Sequence, residues 1–283
     1  MPQTLSIEGN TYEFVGGQKS GAAVYRGKKE FLRVGPPDAI KRDLDFHRRM
    51  EAAKYPVATL VREGEYGSHY YFIERALGGI SFRNYFSKDF EKNREVDARH
   101  FSYLSSIVEV LLSAQIHSIT GAWDEKSLAE AIRLDELSDE LPKARSALRK
   151  HFYEICERLH NFPAVITHGD CNPSNIYKQG IIDLEDSFIG PIGFDIASVI
   201  ETQEWFPREG DYEFIAKFVF FENQKKTYIN RFDRAFQKHG LPSFKDHYDD
   251  FAFCRGVWLC AGMGEWPKTR DWRFQKLLAM LPS

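Results

Sequence analysis

The stretch Ile166-Thr167-His168-Gly169-Asp170-Cys171-Asn172-Pro173-Ser174-Asn175-Ile176-Tyr177, followed by Ile181-Ile182-Asp183-Leu184-Glu185-Asp186, holds the residues best suited to chemistry. Asn175 follows Asp170 by five positions, and a second apolar segment ends at Asp183. Moving a phosphoryl group calls for hard oxygen ligands that hold a divalent cation against a triphosphate. A carboxylate (Asp183) and a side-chain amide oxygen (Asn175) suit that task. It also calls for a second carboxylate, here Asp170, to accept or orient the proton of an attacking hydroxyl. Gly169 allows a tight turn beside that aspartate, and His168 is expected to brace the loop through hydrogen bonds. Asp, Asn, Pro and Ser also build ordinary turns. An ordinary turn does not account for two flanking apolar strands, a His-Gly-Asp, a spaced Asn and an Asp closing the second strand.

These side chains need a scaffold. Residues 1–76 read as a small strand-rich lobe of five strands and one helix. The strands are Thr11–Phe14, Ala23–Arg26, Lys29–Val34, Val57–Val61 and His69–Arg75. Pro36-Pro37-Asp38 opens the helix, and Ile40, Leu44, His47 and Met50 follow helical spacing to about Lys54. Leu77-Gly78-Gly79 marks the boundary. Residues 77–283 then read as helices over Val96–Ile119, Ser127–Arg133 and Leu137–His160, a short β patch over Ala164–Asp183, and helices from Phe194 onward. A strand-rich lobe followed by a helix-rich lobe predicts an α+β, two-lobed architecture.

The 283 residues, 43% of them hydrophobic, suffice for two modest lobes with packed cores. A net charge of −3 does not call for a nucleic-acid partner. No apolar run reaches the ~20 residues a membrane helix needs, and Met1–Leu5 lacks the pattern of a secretion signal, so a cytoplasmic location is expected, as a monomer or weak dimer. Cys156, Cys171, Cys254 and Cys260 form no C-x-x-C pair, which favours buried thiols over zinc or disulfides. Hydrolase motifs of the Gly-x-Ser-x-Gly and His-Glu-x-x-His kinds do not occur.

The segment Thr167–Ala197, with His168-Gly169-Asp170, Asn175, Ile182-Asp183 and Asp195-Ile196-Ala197, resembles the aminoglycoside phosphotransferase and choline kinase superfamily. The resemblance implies a protein-kinase-like fold and an ATP-dependent (or GTP-dependent), Mg2+-dependent kinase acting on a small-molecule hydroxyl. It implies Asp170 as catalytic base, Asn175 and Asp183 as magnesium ligands, and Asp195 as a brace of the catalytic loop. On its residues alone Asp195 reads equally as a helix N-cap. In the first lobe Gly16-Gly17-Gln18-Lys19-Ser20-Gly21 resembles the phosphate-covering loop, with Ser20 and Gly21 near the phosphates. Phe31-Leu32-Arg33-Val34 resembles the nucleotide-binding strand, and Glu74-Arg75-Ala76-Leu77-Gly78-Gly79 the hinge, with adenine near Glu74 and Ala76.

The sequence departs from the family pattern at three places. Arg33 stands where the family has lysine, with Asp43 or Asp45 as its expected helix partner; Lys28 and Lys29 are alternatives that need a register slip. The hairpin near Lys178-Gln179-Gly180 is short, and Cys171-Asn172 replaces the commoner residues beside the acceptor. Arg33 also keeps a nucleotide-binding pseudokinase in view, whereas a protein kinase is disfavoured because Asp-Phe-Gly and Ala-Pro-Glu segments are missing. For the acceptor, Glu185, Asp186, Glu201, Glu204, Glu209, Asp211 and Glu213 offer a carboxylate cluster for a polyamine sugar. Trp205, Phe206, Tyr212, Phe214, Phe218, Phe220 and Phe221 offer an aromatic cage for a quaternary amine. Solvated charge and plain core are the competing readings of the two groups. Trp258, Trp266 and Trp272 are expected in the core.

Overall fold

A computed structural model describes all residues except 1, 19, 208–210, 212–216 and 283. Of the acceptor candidates, Glu209, Tyr212, Glu213 and Phe214 therefore lie outside the described residues. The chain opens with β1 (Thr4–Ile7), β2 (Asn10–Gly17), β3 (Ala23–Arg26) and β4 (Glu30–Gly35). Helix α1 (Pro37–Ala52), β5 (Leu60–Tyr66) and β6 (His69–Arg75) complete the first lobe. The six strands form one antiparallel sheet in the order β1-β2-β3-β4-β6-β5, one strand more than the sequence reading, because Thr4–Ile7 pairs with Asn10–Glu13 across a two-residue turn.

Side-chain alternation gives this sheet two faces. Leu32, Val34, Tyr71 and Ile73 pack with Tyr12 and Tyr25 in an outer core. The other face carries Arg33, Phe72 and Glu74 toward α1 and the space between the lobes; Arg33 sits opposite Phe72 and Phe31 opposite Glu74 in the β4–β6 register. Helix α1 has Pro37 in its first turn and buries Ile40, Asp43, Leu44, His47 and Met50 as one stripe.

The second lobe continues with α2 (Phe82–Asn93), which the sequence reading passes over, then α3 (Ala98–His117), α4 (Glu125–Ala131), α5 (Leu134–Glu140) and α6 (Arg145–Leu159). The single helix expected over residues 137–160 is two helices, broken around Pro142, whose missing N–H and ring are poorly tolerated inside a helix. Strands β7 (Ala164–Thr167), β8 (Ile176–Tyr177), β9 (Gly180–Ile181) and β10 (Phe188–Pro191) form two small ladders. Helices α7 (Phe194–Glu204), α8 (Glu222–Lys238), α9 (Tyr248–Cys260) and α10 (Pro267–Leu278) close the chain. A large aromatic-rich core joins α2, α3 and α6–α9. No helix among the described residues is long and apolar enough to cross a membrane.

Candidate active site

Strand β7 pairs antiparallel with β10, Thr167 opposite Phe188 and Ala164 opposite Pro191. Everything between them, residues 168–187, is thrown out toward the first lobe. Within that excursion β8 and β9 form a tight hairpin, Ile176 opposite Ile181, and the Ile182 N–H donates to the Asn175 carbonyl at 3.0 Å. The short hairpin therefore brings Asn175 beside Asp183. Parallel pairing of Val57 with Ile181 ties it to the first lobe.

The loop is held from behind. Asp195 is fully buried, and its carboxylate accepts the backbone N–H groups of His168 (2.8 Å) and Gly169 (3.1 Å) and the amide of Gln115 (2.8 Å). Burial pushes its pKa up, against the pull of those donors. The N-cap of α7 is Gly193, so Asp195 reaches the loop from inside the helix's first turn. His168 donates from Nε2 to the Ile182 carbonyl at 2.7 Å, tying the two flanks of the hairpin together. Gly169 has φ +80°, and a Cβ there would collide with the Asp186 carbonyl.

Asp170 has a partner on each oxygen. The Asn175 amide donates to one at 3.0 Å. Arg255, from the middle of α9, donates to the other. The same guanidinium donates to the Gly169 carbonyl (2.9 Å) and the Thr202 hydroxyl (3.0 Å), and lies 4.1 Å from the centre of the Trp258 ring. Arg255 is completely buried. Sequence reasoning missed it, although a lone charge in the apolar run Phe251–Cys260 was the available signal.

Asp183 has φ +70° and a half-exposed side chain that accepts from Gln18 (3.1 Å) and Arg33 (3.2 Å). Arg33 is nearly buried. Burial opposes its charge, but Glu74 and Asp183 outweigh that and raise its pKa. The acid nearest Arg33 besides Asp183 is Glu74, on the neighbouring strand at 3.7 Å, and Glu74 also lies 3.7 Å from His47 of α1. This corrects the expected helix partner. Asp43 is buried but bonds Arg42 at 3.2 Å, and Asp45 pairs with Arg49 on the helix surface. An aspartate on α1 is one methylene shorter than a glutamate, and Glu74 occupies the space beside Arg33.

Two cavities meet at Asp183. The first, of about 1110 Å³, lies between the lobes and is lined by Gly16–Gln18, Lys28–Phe31, Arg33, Glu74–Gly79 and Asp183. The second, of about 520 Å³, lies below it and is lined by Asp170, Asn172–Asn175 and Asp183. Trp258, Trp266, Phe206 and Phe218 complete its aromatic wall.

A model of the phosphotransferase enzyme family matches residues 11–228. The chain belongs to that family. Comparison with curated proteins gives no match. Among solved structures, a thermostable mutant of aminoglycoside phosphotransferase APH(4)-Ia, in ternary complex with ADP and hygromycin B, is 13% identical with a TM-score of 0.58. That alignment covers 95% of this chain and 92% of the other. Aminoglycoside phosphotransferase APH(3'')-Id from Streptomyces rimosus, in complex with ADP and streptomycin, is 14% identical with a TM-score of 0.55, covering 86% and 94%. A choline/ethanolamine kinase family protein from Mesorhizobium loti is 13% identical with a TM-score of 0.51, covering 96% and 88%. The fold is thus the two-lobed, protein-kinase-like α+β fold, and this member of the phosphotransferase family is a small-molecule kinase.

Other residues singled out from the amino-acid pattern fall elsewhere in this kinase. Arg33, Glu74 and Ala76 line the interlobe cavity, but Ser20, Gly21 and Asp43 do not; of the expected loop it is Gly16, Gly17 and Gln18 that form the wall. The Ala76 N–H is bonded to the Lys29 carbonyl at 2.9 Å, so it is already spent within the first lobe. Glu185 and Asp186 follow Asp183 without lining the lower cavity. Burial, then Asp183 and Asp186, push the Glu185 pKa up to about 7. Glu201 and Glu204 face away: Glu201 accepts from the Tyr248 hydroxyl at 2.8 Å, and Glu204 pairs with Lys225 at 3.3 Å. Asp211 bonds the N–H groups of Lys268 and Thr269 at the start of α10. Trp205 and Phe220 are core, and Phe221 is exposed, so an aromatic cage made of the described candidates reduces to Phe206 and Phe218. Trp258, expected in the core, packs against it and also lines the lower cavity, whereas Trp266 lines that cavity.

Proposed function

We propose that this small-molecule kinase transfers the γ-phosphate of ATP, with Mg2+, to a hydroxyl of an acceptor held in the lower cavity. The observation that carries this reading is the position of Asp183, which lines both cavities, with Asp170 and Asn175 beside it in the second. ATP fits the interlobe cavity in size. Its adenine would lie near the hinge at Leu77–Gly79, and its phosphates under Gly16–Gln18 and against Arg33. The donor chemistry suits magnesium. Asn175 spends its amide hydrogens on Asp170, which leaves the side-chain oxygen as an acceptor, and Asp183 offers a half-exposed carboxylate. When bound, the cation neutralises charge on the β- and γ-phosphates.

Arg255 and Asn175 fix the Asp170 carboxylate so that it accepts the acceptor's O–H. The hydroxyl oxygen then bonds to the γ-phosphorus, the bond from that phosphorus to the β–γ bridging oxygen breaks, ADP leaves, and the hydroxyl proton passes to Asp170. Asp195 and His168 hold the loop while this happens. The test is ADP release with Mg2+-ATP and a panel of hydroxyl compounds, beside nucleotide binding. Asp170→Ala should lower turnover by about 10²–10⁴-fold while keeping Mg2+-ATP affinity within about twofold. A folded Asp170→Ala protein that transfers phosphate normally would sink the assignment, and a wild-type protein that binds no Mg2+-ATP would sink the whole reading.

A further inference from the structure

Asp183 is gripped from the first lobe as well as placed by its own hairpin. The Gln18 side-chain amide donates to Asp183 Oδ1 at 3.1 Å, across 165 positions of sequence. Arg33 donates to the same oxygen at 3.2 Å. No described residue donates a hydrogen bond to the second oxygen, Oδ2, of this half-exposed side chain. Gln18 itself stands on a closed turn between β2 and β3. Its N–H donates to the Ala22 carbonyl at 2.7 Å, and its carbonyl accepts from the Gly21 N–H at 3.1 Å. Gly21 has φ +83°, the left-handed conformation that such a turn requires.

An ionised carboxylate only accepts, so the Gln18 nitrogen must face Asp183 and the amide oxygen must face elsewhere. That oxygen, Oε1, is buried and accepts no hydrogen bond. A buried acceptor without a donor is costly unless something that binds beside it supplies one. Mg2+ keeps several of its waters when bound, and water donates. Carboxylates that ligate a metal are themselves hydrogen-bonded, which fixes their orientation. Two donors on Oδ1 and none on Oδ2 is that arrangement, with one oxygen held by the protein and one left over. Arg33 grips Oδ1 at the expense of a positive charge beside the cation, whereas Gln18 grips it with a neutral donor.

Resting on the kinase reading above, we propose that Gln18 is a positioning residue of the cation site. Its amide reaches from the first lobe to hold Oδ1 of Asp183, leaving the other carboxylate oxygen for Mg2+. Gln18 touches no reacting atom and acts through Asp183. The cation site is therefore complete only when the turn that carries Gln18 is seated against the second lobe, which couples nucleotide entry to cation binding.

The experiment measures AMP-PNP affinity by calorimetry, with Mg2+ and with EDTA, and Mn2+ binding to the AMP-PNP complex by electron paramagnetic resonance. Gln18→Met keeps the length of the side chain and removes the donor, and Gln18→Ala removes both. Each variant is expected to cut the gain in AMP-PNP affinity on adding Mg2+ by about tenfold, and Mn2+ affinity by a similar factor, as for other partners that orient a metal ligand. Asp183→Asn is the reference, and adding Gln18→Met to it should lower that gain no further, because the two residues act through one contact. A gain that stays at its wild-type value overturns the proposal. Equal losses with Mg2+ and with EDTA overturn it too, because Gln18 then shapes the loop or meets the phosphates directly. Tighter Mn2+ binding in Gln18→Met would show the amide competing with the cation, and a loss that persists beside Asp183→Asn would show it acting elsewhere; either sinks the proposal. Failure of the kinase reading looks different, since wild-type AMP-PNP binding is then absent or indifferent to Mg2+ before any variant is made.

Discussion

The interlobe cleft draws most of its wall from a few short stretches within residues 15–18, 24–33 and 74–79, which lie on one sheet and the turn after it, and Tyr177, Ile182 and Asp183 complete it from the second lobe. The lower pocket gathers residues from α2, the start of α5, the catalytic loop, α7, α9 and α10, spread over residues 83–273. A triphosphate can be cradled by a hairpin and a strand, because its charge is recognised by any well-placed donor. An acceptor must be recognised by shape and charge from several directions. On the proposed reading, the part of the site that would hold the nucleotide is mostly local in the chain, Asp183 being the exception, and the part that would select the acceptor is assembled over long range.

Arg255 is where the long-range half reaches into the chemistry, so its removal should give the largest effect after the loss of Asp170 itself. Arg255→Met is expected to lower kcat on the order of 10²-fold with Mg2+-ATP affinity within about twofold, since the lost donors touch Asp170, Gly169 and Thr202 but not the cleft. Arg255→Lys should recover part of kcat, because an ammonium keeps the charge but cannot fork across three acceptors. Thermal melts guard against misfolding at a buried site. Parallel loss of nucleotide affinity and kcat, with no recovery in the lysine variant, would mark Arg255 as a core residue only and weaken the contrast between the two cavities.

A second test sits on the cleft side. Glu74→Gln removes one of the two acids beside the buried Arg33 and leaves Asp183 at 3.2 Å as its partner. Mg2+-ATP affinity should fall about tenfold as Arg33 loses that anchor. Asp43→Asn should do far less to nucleotide binding. Burial raises the Asp43 pKa in the folded protein, chiefly by desolvation and against Arg42. That contribution favours folding below its ordinary value of 3.8 and is lost as pH rises. At pH 7 the asparagine is expected to match or exceed wild-type stability. Equal losses of nucleotide affinity in the two variants would restore Asp43 as the functional partner.

Much of the fold and the catalytic stretch could be read from the sequence because both are local. Glycine punctuation, period-two strands and the helical stripe on α1 specify the first lobe, while β1 escaped because four residues with two buried side chains carry little pattern. The spacing from His168 to Asp183 maps onto one excursion between β7 and β10. Three things were not legible. Strand parity places Glu74 on the face of Arg33, but only the β4–β6 register shows that it, and not a helix aspartate, lies alongside. Arg255 is 85 residues from Asp170, and no spacing rule spans that distance. The acids from Glu185 to Glu213 read as either an acceptor wall or solvated charge, yet Glu201 and Glu204 bond to Tyr248 and Lys225 away from both cavities, and Phe206, Phe218, Trp258 and Trp266 line the lower one.

Glu201 gives the mildest and most selective test, because it lies in sequence among the acceptor candidates and in space with neither cavity. Glu201→Gln should leave the KM values for nucleotide and acceptor unchanged within about twofold, a margin of roughly 0.4 kcal/mol. Its effect should appear in stability. Burial raises the folded-state pKa of Glu201 above its ordinary 4.5, although the Tyr248 hydroxyl opposes this. The folded state therefore holds the proton more tightly than the unfolded chain. That contribution is fully present below pH 4.5 and disappears as pH rises through the folded-state value. Wild type minus Gln variant, in free energy of unfolding by denaturant, should accordingly decline with rising pH and then level off. A difference that stays flat across that range would show that Glu201 titrates as a solvated residue. A raised acceptor KM in Glu201→Gln would return the outward face of α7 to the acceptor site and undo the separation between the two cavities and the rest of the lobe.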